Sequence, residues 1–257
     1  MKKVFSRPKS LTKIPFHYCA GCDHPIAHRL IAEIIDELEI RERLIAVWPI
    51  GCSVMGDKYF DLDSILASHG KAPAVATGVA LGRLTNPDVL IFTYQGDGDM
   101  VSIGLGEIIH AANRGELFTA FFINNAIYAM TSGQMAPTTV VGQKTKTCPL
   151  GRDPKVHGYP IRMCELLQTL LTPAYIARVA LFDAKHINKA KKAIRKAFQF
   201  QMDGKGFSFV EIISACPTNW KAKYPECREF IKEKMLPVFP LKEFKTFQID
   251  NEGEKNV

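Results

Sequence analysis

Residues 88–125 read DVLIFTYQGDGDMVSIGLGEIIHAANRGELFTAFFINN, and the order of patterns within them decides the fold. Residues 88–94 are rich in β-formers, residues 101–114 have helical spacing, and residues 117–123 form a second, near-continuous apolar run. Neither run alternates with polar residues, as expected for strands buried on both faces of a parallel sheet. A right-handed crossover sets two such strands side by side. The loops QGDGD and NNAIY that follow them then open at one sheet edge, where ligands of parallel sheets bind.

The same alternation extends outward. Residues 24–40 predict a helix with Asp23 as candidate N-cap and Pro25 in its first turn. A strand is expected at 44–48, followed by the loop PIGCS. Helices are expected at 72–84, 161–171 and 186–202, and strands at 175–181 and 207–213. Residues 126–160 lack periodicity and are rich in Thr, Gly and Pro. They predict one long loop, which in a compact domain is usually functional. The expected architecture is a single α/β domain over 1–220, a mostly parallel sheet flanked by helices, with an irregular, charged C-terminal extension over 221–257.

Asp97 and Asn125 lie 28 positions apart, an interval filled by one helix and one returning strand. Their side chains therefore reach neighbouring strand ends and can share one ion. A carboxylate and an amide carbonyl are hard donors that suit Mg²⁺, and Mg²⁺ bridges phosphate oxygens. Gly96 and Gly98 let a backbone approach phosphate, and a helix N-terminus follows. Either motif alone could be a tight turn. A dinucleotide site fits less well, since no GxGxxG opens a helix after the first strand.

The composition is that of a globular protein, with 47% hydrophobic and 23% charged residues. No apolar run has the length and purity of a membrane span. The basic N-terminus MKKVFSRPKS has no apolar segment behind it, so a cytoplasmic location is expected. Net charge is +7, and six Lys and Arg fall between 185 and 196. Ile187, Ala190, Ile194, Ala197 and Phe198 recur at helical spacing among them, which leaves Lys189, Lys192 and Lys196 on a solvated face. No nucleic-acid motif accompanies the charge.

Seven cysteines form an odd set, which argues against a disulfide framework. Cys19 and Cys22 form C-x-x-C in HYCAGCDH, Cys52 lies in PIGCS, and Cys216 in SACPTNW. A second C-x-x-C or paired histidines, usual for zinc, are absent, and no clear strand precedes the motif as thioredoxin-like chemistry would want. Four thiolates could hold an iron–sulfur cluster.

GDG followed by NN after some 26 to 28 residues resembles the motif of thiamine diphosphate enzymes. The blocks CAGCDH, IGCS, YFDLDSILASHGKAPAVATG, FTYQGDGDM, HAANRGE, FINNAIYAMTSGQMAPTT, GQKTKT and Cys-Pro at 216–217 are similar, in order, to the β subunit of 2-oxoacid:ferredoxin oxidoreductases. That resemblance covers roughly residues 15–220. It implies that Asp97 and Asn125 ligate Mg²⁺ by side chain and Ile127 by its carbonyl. It implies that Cys19, Cys22, Cys52 and Cys216 hold a [4Fe–4S] cluster, with Cys148, Cys164 and Cys227 left without a ligand role. It sets Ile50, Gly51, Cys52, Ser53, His69, Gly98, Asp99, Ala129 and Met130 around thiamine diphosphate. Ala129 and Ser132 stand where the family commonly has glycine, and Cys148 where it has Thr.

The activity so implied is oxidative decarboxylation of a 2-oxoacid to an acyl-CoA, with electrons passing to ferredoxin. The activating Glu is expected on an α partner subunit, with γ or δ subunits completing the enzyme. CAGCDH and IGCSVMGDKYFD look more like the 2-oxoglutarate and 2-oxoisovalerate members than the pyruvate ones. Lys58 and the 126–160 loop are candidates to meet a distal substrate carboxylate, and the basic surface to dock an acidic ferredoxin. A cluster-free thiamine decarboxylase or lyase, or a non-catalytic electron carrier, are the alternatives.

Overall fold

The computed structural model describes residues 6–82 and 86–247. In chain order the elements are α1 (His24–Glu37), β1 (Leu44–Trp48), α2 (Gly56–Tyr59), β2 (Asp63–Leu66), α3 (Ala72–Leu81), β3 (Leu90–Gly96), α4 (Leu105–Asn113), β4 (Thr119–Asn124), α5 (Pro154–His157), α6 (Met163–Gln168), β5 (Tyr175–Ala180), α7 (Ala184–Met202), β6 (Ser208–Ile213), α8 (Pro217–Trp220), α9 (Tyr224–Phe230) and β7 (Lys242–Thr246). The strands form one sheet ordered β2-β1-β3-β4-β6-β5-β7. All pairs are parallel except β5 with β7.

Every residue of β4, β5 and β6 is buried, which accounts for the lack of alternation in their sequences. On one face α1 and α7 bring Leu30, Ile31, Ile194 and Phe198 onto Phe92, Phe121 and Val210. On the other, α3, α4 and α6 close over Val47, Ile91, Phe122 and Phe209. The α7 lysines divide as their spacing predicts at Lys189 and Lys192, which are exposed. Lys196 departs from it: its ammonium is 2.8 Å from Glu243 and lies over the Tyr175 ring, fastening β7 to the helix.

Three features of the 1–220 domain depart from expectation. Asp23 precedes α1 but makes no capping bond, because Ala215 N donates to its carboxylate instead. The helix expected over 101–114 is a π-helical turn, Gly98–Ile103, followed by α4; Gly104 N reaches back to Asp99 O at 2.9 Å and closes the wide turn. The short edge strand β2 was not expected, since its exposed residues show no apolar run. The last residues expected in the 72–84 helix, 83 and 84, lie outside the described residues.

Between 224 and 246 the C-terminal extension forms local elements joined by turns. It carries α9, a π-helical turn (Ile231–Met235) and β7. Cys227, Ile231, Met235 and Phe239 bury one stripe against Ala180, Phe182 and Ile213, and β7 finds backbone partners along β5. This added core stands at the end of the sheet where the loops after β5 and β6 emerge.

Candidate functional site

Loops after β1, β3 and β4 open at the carboxyl edge of the sheet and surround a cavity of about 240 Å³. Ile50, Gly51, Cys52 and Ser53 line it after β1, His69 before α3, and Asp97, Gly98 and Asp99 after β3. Asn125, Ile127, Ala129 and Met130 complete it after β4. The residues expected around a thiamine cofactor and its metal therefore meet at one place. His24, Ser102, Ile103, Tyr128 and Thr131 share the lining and were not anticipated. His24 sits beside the C-x-x-C motif at the start of α1, with its Nδ1 2.8 Å from the Tyr94 hydroxyl. Lys58 does not line the cavity; it is exposed on α2.

Asp97 is 3% exposed, and burial pushes its carboxyl up to about 7, against the pull of hydrogen bonds from Thr138 and the Asn125 backbone. Asn125 N donates to Asp97 Oδ2 at 3.1 Å, and the Thr138 hydroxyl donates to Oδ1. The Asn125 side-chain NH₂ donates to Asp97 Oδ2 at 2.7 Å and to Ile127 O at 2.8 Å. A cation at this point would turn the amide oxygen toward it and meet three oxygen donors, from Asp97, Asn125 and Ile127. Ala126, at φ +57°, turns the chain between Asn125 and Ile127, and the Asn124 side chain accepts from Ala126 N at 3.1 Å.

Asp99 works inward. Its carboxylate accepts from His69 Nδ1 at 2.7 Å, from Gly70 N at 2.8 Å and from Gln95 Nε2 at 2.5 Å. It thereby orients His69, whose side chain is 38% exposed at the cavity wall. A Cβ at Gly98 would meet the Tyr128 ring at 3.3 Å, so that ring packs on bare backbone. Ser132 keeps φ +82°, a glycine-like conformation at one of the two positions where the resemblance has glycine.

Cys19, Cys22, Cys52 and Cys216 are free thiols, and Cys52 lines this cavity. Burial, with the neighbouring Cys216 and Cys52, pushes the Cys22 thiol up to about 12. Burial, with Cys216 and Cys19 beside it, pushes Cys52 to about 11. Asp23 Oδ2 accepts from Ala215 N at 2.7 Å and ties the first thiol loop to the loop of Cys216. Asn219 on α8 donates to Cys216 Sγ at 3.3 Å and to Ala129 O at 3.0 Å, which joins the thiols to the cavity wall. Among the described residues, no three His, Cys, Asp or Glu side chains stand close enough to form a metal-binding group as placed. Cys148, Cys164 and Cys227 are buried; Cys164 donates to Glu211, and Cys227 packs in the C-terminal core, where burial raises its thiol and Asp23 and Cys216 are close enough to help.

Residues 49–212 match the family of thiamine pyrophosphate enzymes, C-terminal TPP binding domain. The chain is 48% identical to the ketoisovalerate oxidoreductase subunit VorA of Methanothermobacter thermautotrophicus, over 98% of this chain and 54% of that protein. It is 35% identical to the 2-oxoglutarate synthase subunit KorB of Archaeoglobus fulgidus, over 91% of this chain and 82% of that one. It spans about half the length of its VorA relatives, 54% and 52%. A solved 2-oxoglutarate:ferredoxin oxidoreductase from Magnetococcus marinus shares the fold with a TM-score of 0.74, at 24% identity over 97% of this chain and 88% of that chain. The chain belongs to the 2-oxoacid:ferredoxin oxidoreductase subunits that carry the thiamine pyrophosphate-binding domain.

Proposed function

We propose that the chain binds thiamine diphosphate through Mg²⁺, and that it serves a CoA-dependent 2-oxoacid:ferredoxin oxidoreductase acting on a branched apolar 2-oxoacid. The observation that carries this reading is the convergence of the Asp97 carboxylate, the Asn125 carboxamide and the Ile127 carbonyl on one point of the cavity wall, the carboxamide being 2.7 Å from Asp97 Oδ2 and 2.8 Å from Ile127 O. Adjacent ligands of an octahedral Mg²⁺ held at about 2.1 Å lie about 3 Å apart. The donor set is oxygen throughout, and it lies where a diphosphate can complete the shell.

Asp97, Asn125 and Ile127 would hold the ion. Gly98 leaves the backbone open to phosphate, and His69, fixed by Asp99, faces the cofactor space. Cys19, Cys22, Cys52 and Cys216 would hold a [4Fe–4S] cluster. Bound there, thiamine diphosphate would supply the carbon nucleophile and electron sink for decarboxylation, and the cluster a one-electron acceptor beside it. Ile50, Ile103 and Met130 give the cavity an apolar wall.

Substrate class follows from what is missing from that wall. Among the described residues no Lys or Arg lines the cavity, so the distal carboxylate of 2-oxoglutarate would meet no cation there. A 2-oxoisovalerate side chain needs only apolar contact, in keeping with the ketoisovalerate names of the VorA relatives. No Glu lines the cavity among the described residues either, so the activating carboxylate is assigned to an α partner, with γ or δ subunits and ferredoxin taking the remaining roles in the cytoplasm.

The test is an anaerobic preparation of the assembled complex. About four irons per chain and CoA-dependent viologen reduction with 2-oxoisovalerate ahead of 2-oxoglutarate are expected. Undiminished activity in Asp97→Ala would refute the reading. A cluster-free thiamine enzyme is the second reading, favoured by the lack of a pre-assembled three-ligand group, and an iron content near zero would select it.

A further inference from the structure

Beneath the site, a chain of buried polar groups crosses the sheet. Arg178 on β5 and Glu211 on β6 stand directly opposite in register, and both side chains are fully buried. Arg178 Nε donates to Glu211 Oε2 at 2.8 Å, and its Nη atoms reach Glu165 on α6 at 3.0 and 2.5 Å. Glu211 Oε1 accepts from Asn124 Nδ2 at 2.7 Å, at the end of β4. Asn124 passes the constraint on, because its own oxygen accepts from Ala126 N at 3.1 Å. That bond spans Asn125 and holds Ala126 at φ +57°.

We propose that Arg178 and Glu211 are positioning residues for the turn 124–127, acting through Asn124 to aim the Asn125 side chain and the Ile127 carbonyl. The assignment rests on the reading of Asp97, Asn125 and Ile127 as the Mg²⁺ ligands. A buried ion pair is weak evidence of stabilisation in itself, since apolar residues of similar volume often serve as well. What singles this pair out is the outlet of Glu211. One carboxylate oxygen takes the Arg178 guanidinium and the Cys164 thiol, and the other is spent on Asn124, one residue before the ligand. The other end of the chain reaches the C-terminal extension. Pro240 O accepts from Arg178 Nη1 at 3.3 Å, and the Phe244 ring lies 4.9 Å from the guanidinium carbon. The extension thus acquires a part in setting the metal turn, although none of its residues lines the cavity.

Trp220 provides the readout, because its Nε1 donates to Asn125 O at 3.1 Å. The full chain, co-purified with any partner subunits and stripped of metal, is titrated with Mg²⁺ at fixed thiamine diphosphate while tryptophan emission is followed. Arg178→Met/Glu211→Met removes both charges and leaves Asn124 without its acceptor. Its Mg²⁺ midpoint should rise about tenfold, the loss typical when a group that orients a metal ligand is removed. Its melting temperature should fall, because Asn124 becomes a buried donor without an acceptor, while saturating Mg²⁺ should still restore full cofactor binding. Arg178→Met/Glu211→Gln keeps an acceptor for Asn124 without the charge, and its midpoint should return toward wild type. Asn124→Ala should reproduce the tenfold rise.

A midpoint within twofold of wild type in both the Met/Met and the Asn124→Ala proteins overturns the proposal. So does a Gln variant no better than Met/Met, since packing alone would then account for the effect. If the wild-type protein shows no Mg²⁺-dependent thiamine diphosphate binding, the metal reading itself fails and this proposal falls with it.

Discussion

The Asp23 carboxylate accepts a 2.7 Å hydrogen bond from the backbone nitrogen of Ala215, joining segments 192 positions apart. It is the direct tie between the loop of Cys19 and Cys22 and the loop of Cys216. Gly21 reinforces it: a Cβ there would meet Pro217 Cγ at 3.3 Å, so the two loops touch. Asp23→Ala strands a buried N–H, which costs about 1–3 kcal/mol. Asn presents an oxygen in the same place. Chemical denaturation should therefore show Asp23→Ala destabilised by that amount and Asp23→Asn close to wild type. Iron retained by the anaerobically purified proteins should fall in the same order, and equal retention would separate this bond from the thiol corner.

A second prediction concerns pH. His28 on α1 is fully buried, and burial, with His24 and His17 nearby, holds its pKa well below 6.5. Its Nε2 meets the Tyr18 hydroxyl at 2.6 Å, and its ring stacks on Tyr94 at 4.7 Å. The folded protein keeps this imidazole neutral, whereas the unfolded chain binds a proton below about 6.5. The unfolded state then holds more protons, so stability falls as pH drops below that value. His28 alone contributes about 1.4 kcal/mol per pH unit in that window. Unfolding free energies of wild type and His28→Phe at pH 7 and 5.5 should converge toward the acid side. Parallel lines would show that His28 titrates normally.

A third prediction comes from Ser132, which holds φ +82° in the cavity loop. An L-residue in the left-handed region is strained by about 1–2 kcal/mol, offset in part by the greater freedom glycine has when unfolded. Ser132→Gly should raise stability by about 0.5–1 kcal/mol and leave the cavity lining unchanged. A loss of stability would mean that an interaction of the serine side chain compensates the strain.

How far the sequence discloses this protein depends on burial and distance. Strands β1, β3, β4, β5 and β6 show in the sequence because a short, near-continuous apolar run between turn residues fits a strand covered on both faces. Strand β2 does not, being an exposed edge. The C-terminal stripe of Cys227, Ile231, Met235 and Phe239 is present at a spacing of four, yet it is diluted by Lys and Glu between its members and reads as a charged tail. Asp97 and Asn125 could be paired because one crossover fixes their separation. The tie of Asp23 to Ala215, and the reach of Glu211 to Asn124, join residues 192 and 87 positions apart. No local pattern encodes such contacts, and only the sheet order brings them together.

The last prediction concerns the cavity mouth. Leu150, Val156 and Tyr159, in the 126–160 loop, are 93%, 74% and 76% exposed, and Met130 at the cavity itself is 55% exposed. Single exposed apolar residues are ordinary, and four in one loop, one of them at the cavity, offer apolar contact to a partner subunit. Among the described residues no Glu lines that cavity. A partner seated on this loop would both hide the apolar side chains and deliver the activating carboxylate assigned to it. Leu150→Asp and Tyr159→Asp should weaken assembly with the partner subunit by about 1–3 kcal/mol each, as a charge set into a desolvated contact does. Neither residue lines the cavity, so Mg²⁺-dependent thiamine diphosphate binding by whatever complex remains should keep its wild-type midpoint. Sedimentation of the mixed subunits reads the first effect, and the Trp220 titration the second. Assembly at wild-type strength in both variants would move the interface elsewhere.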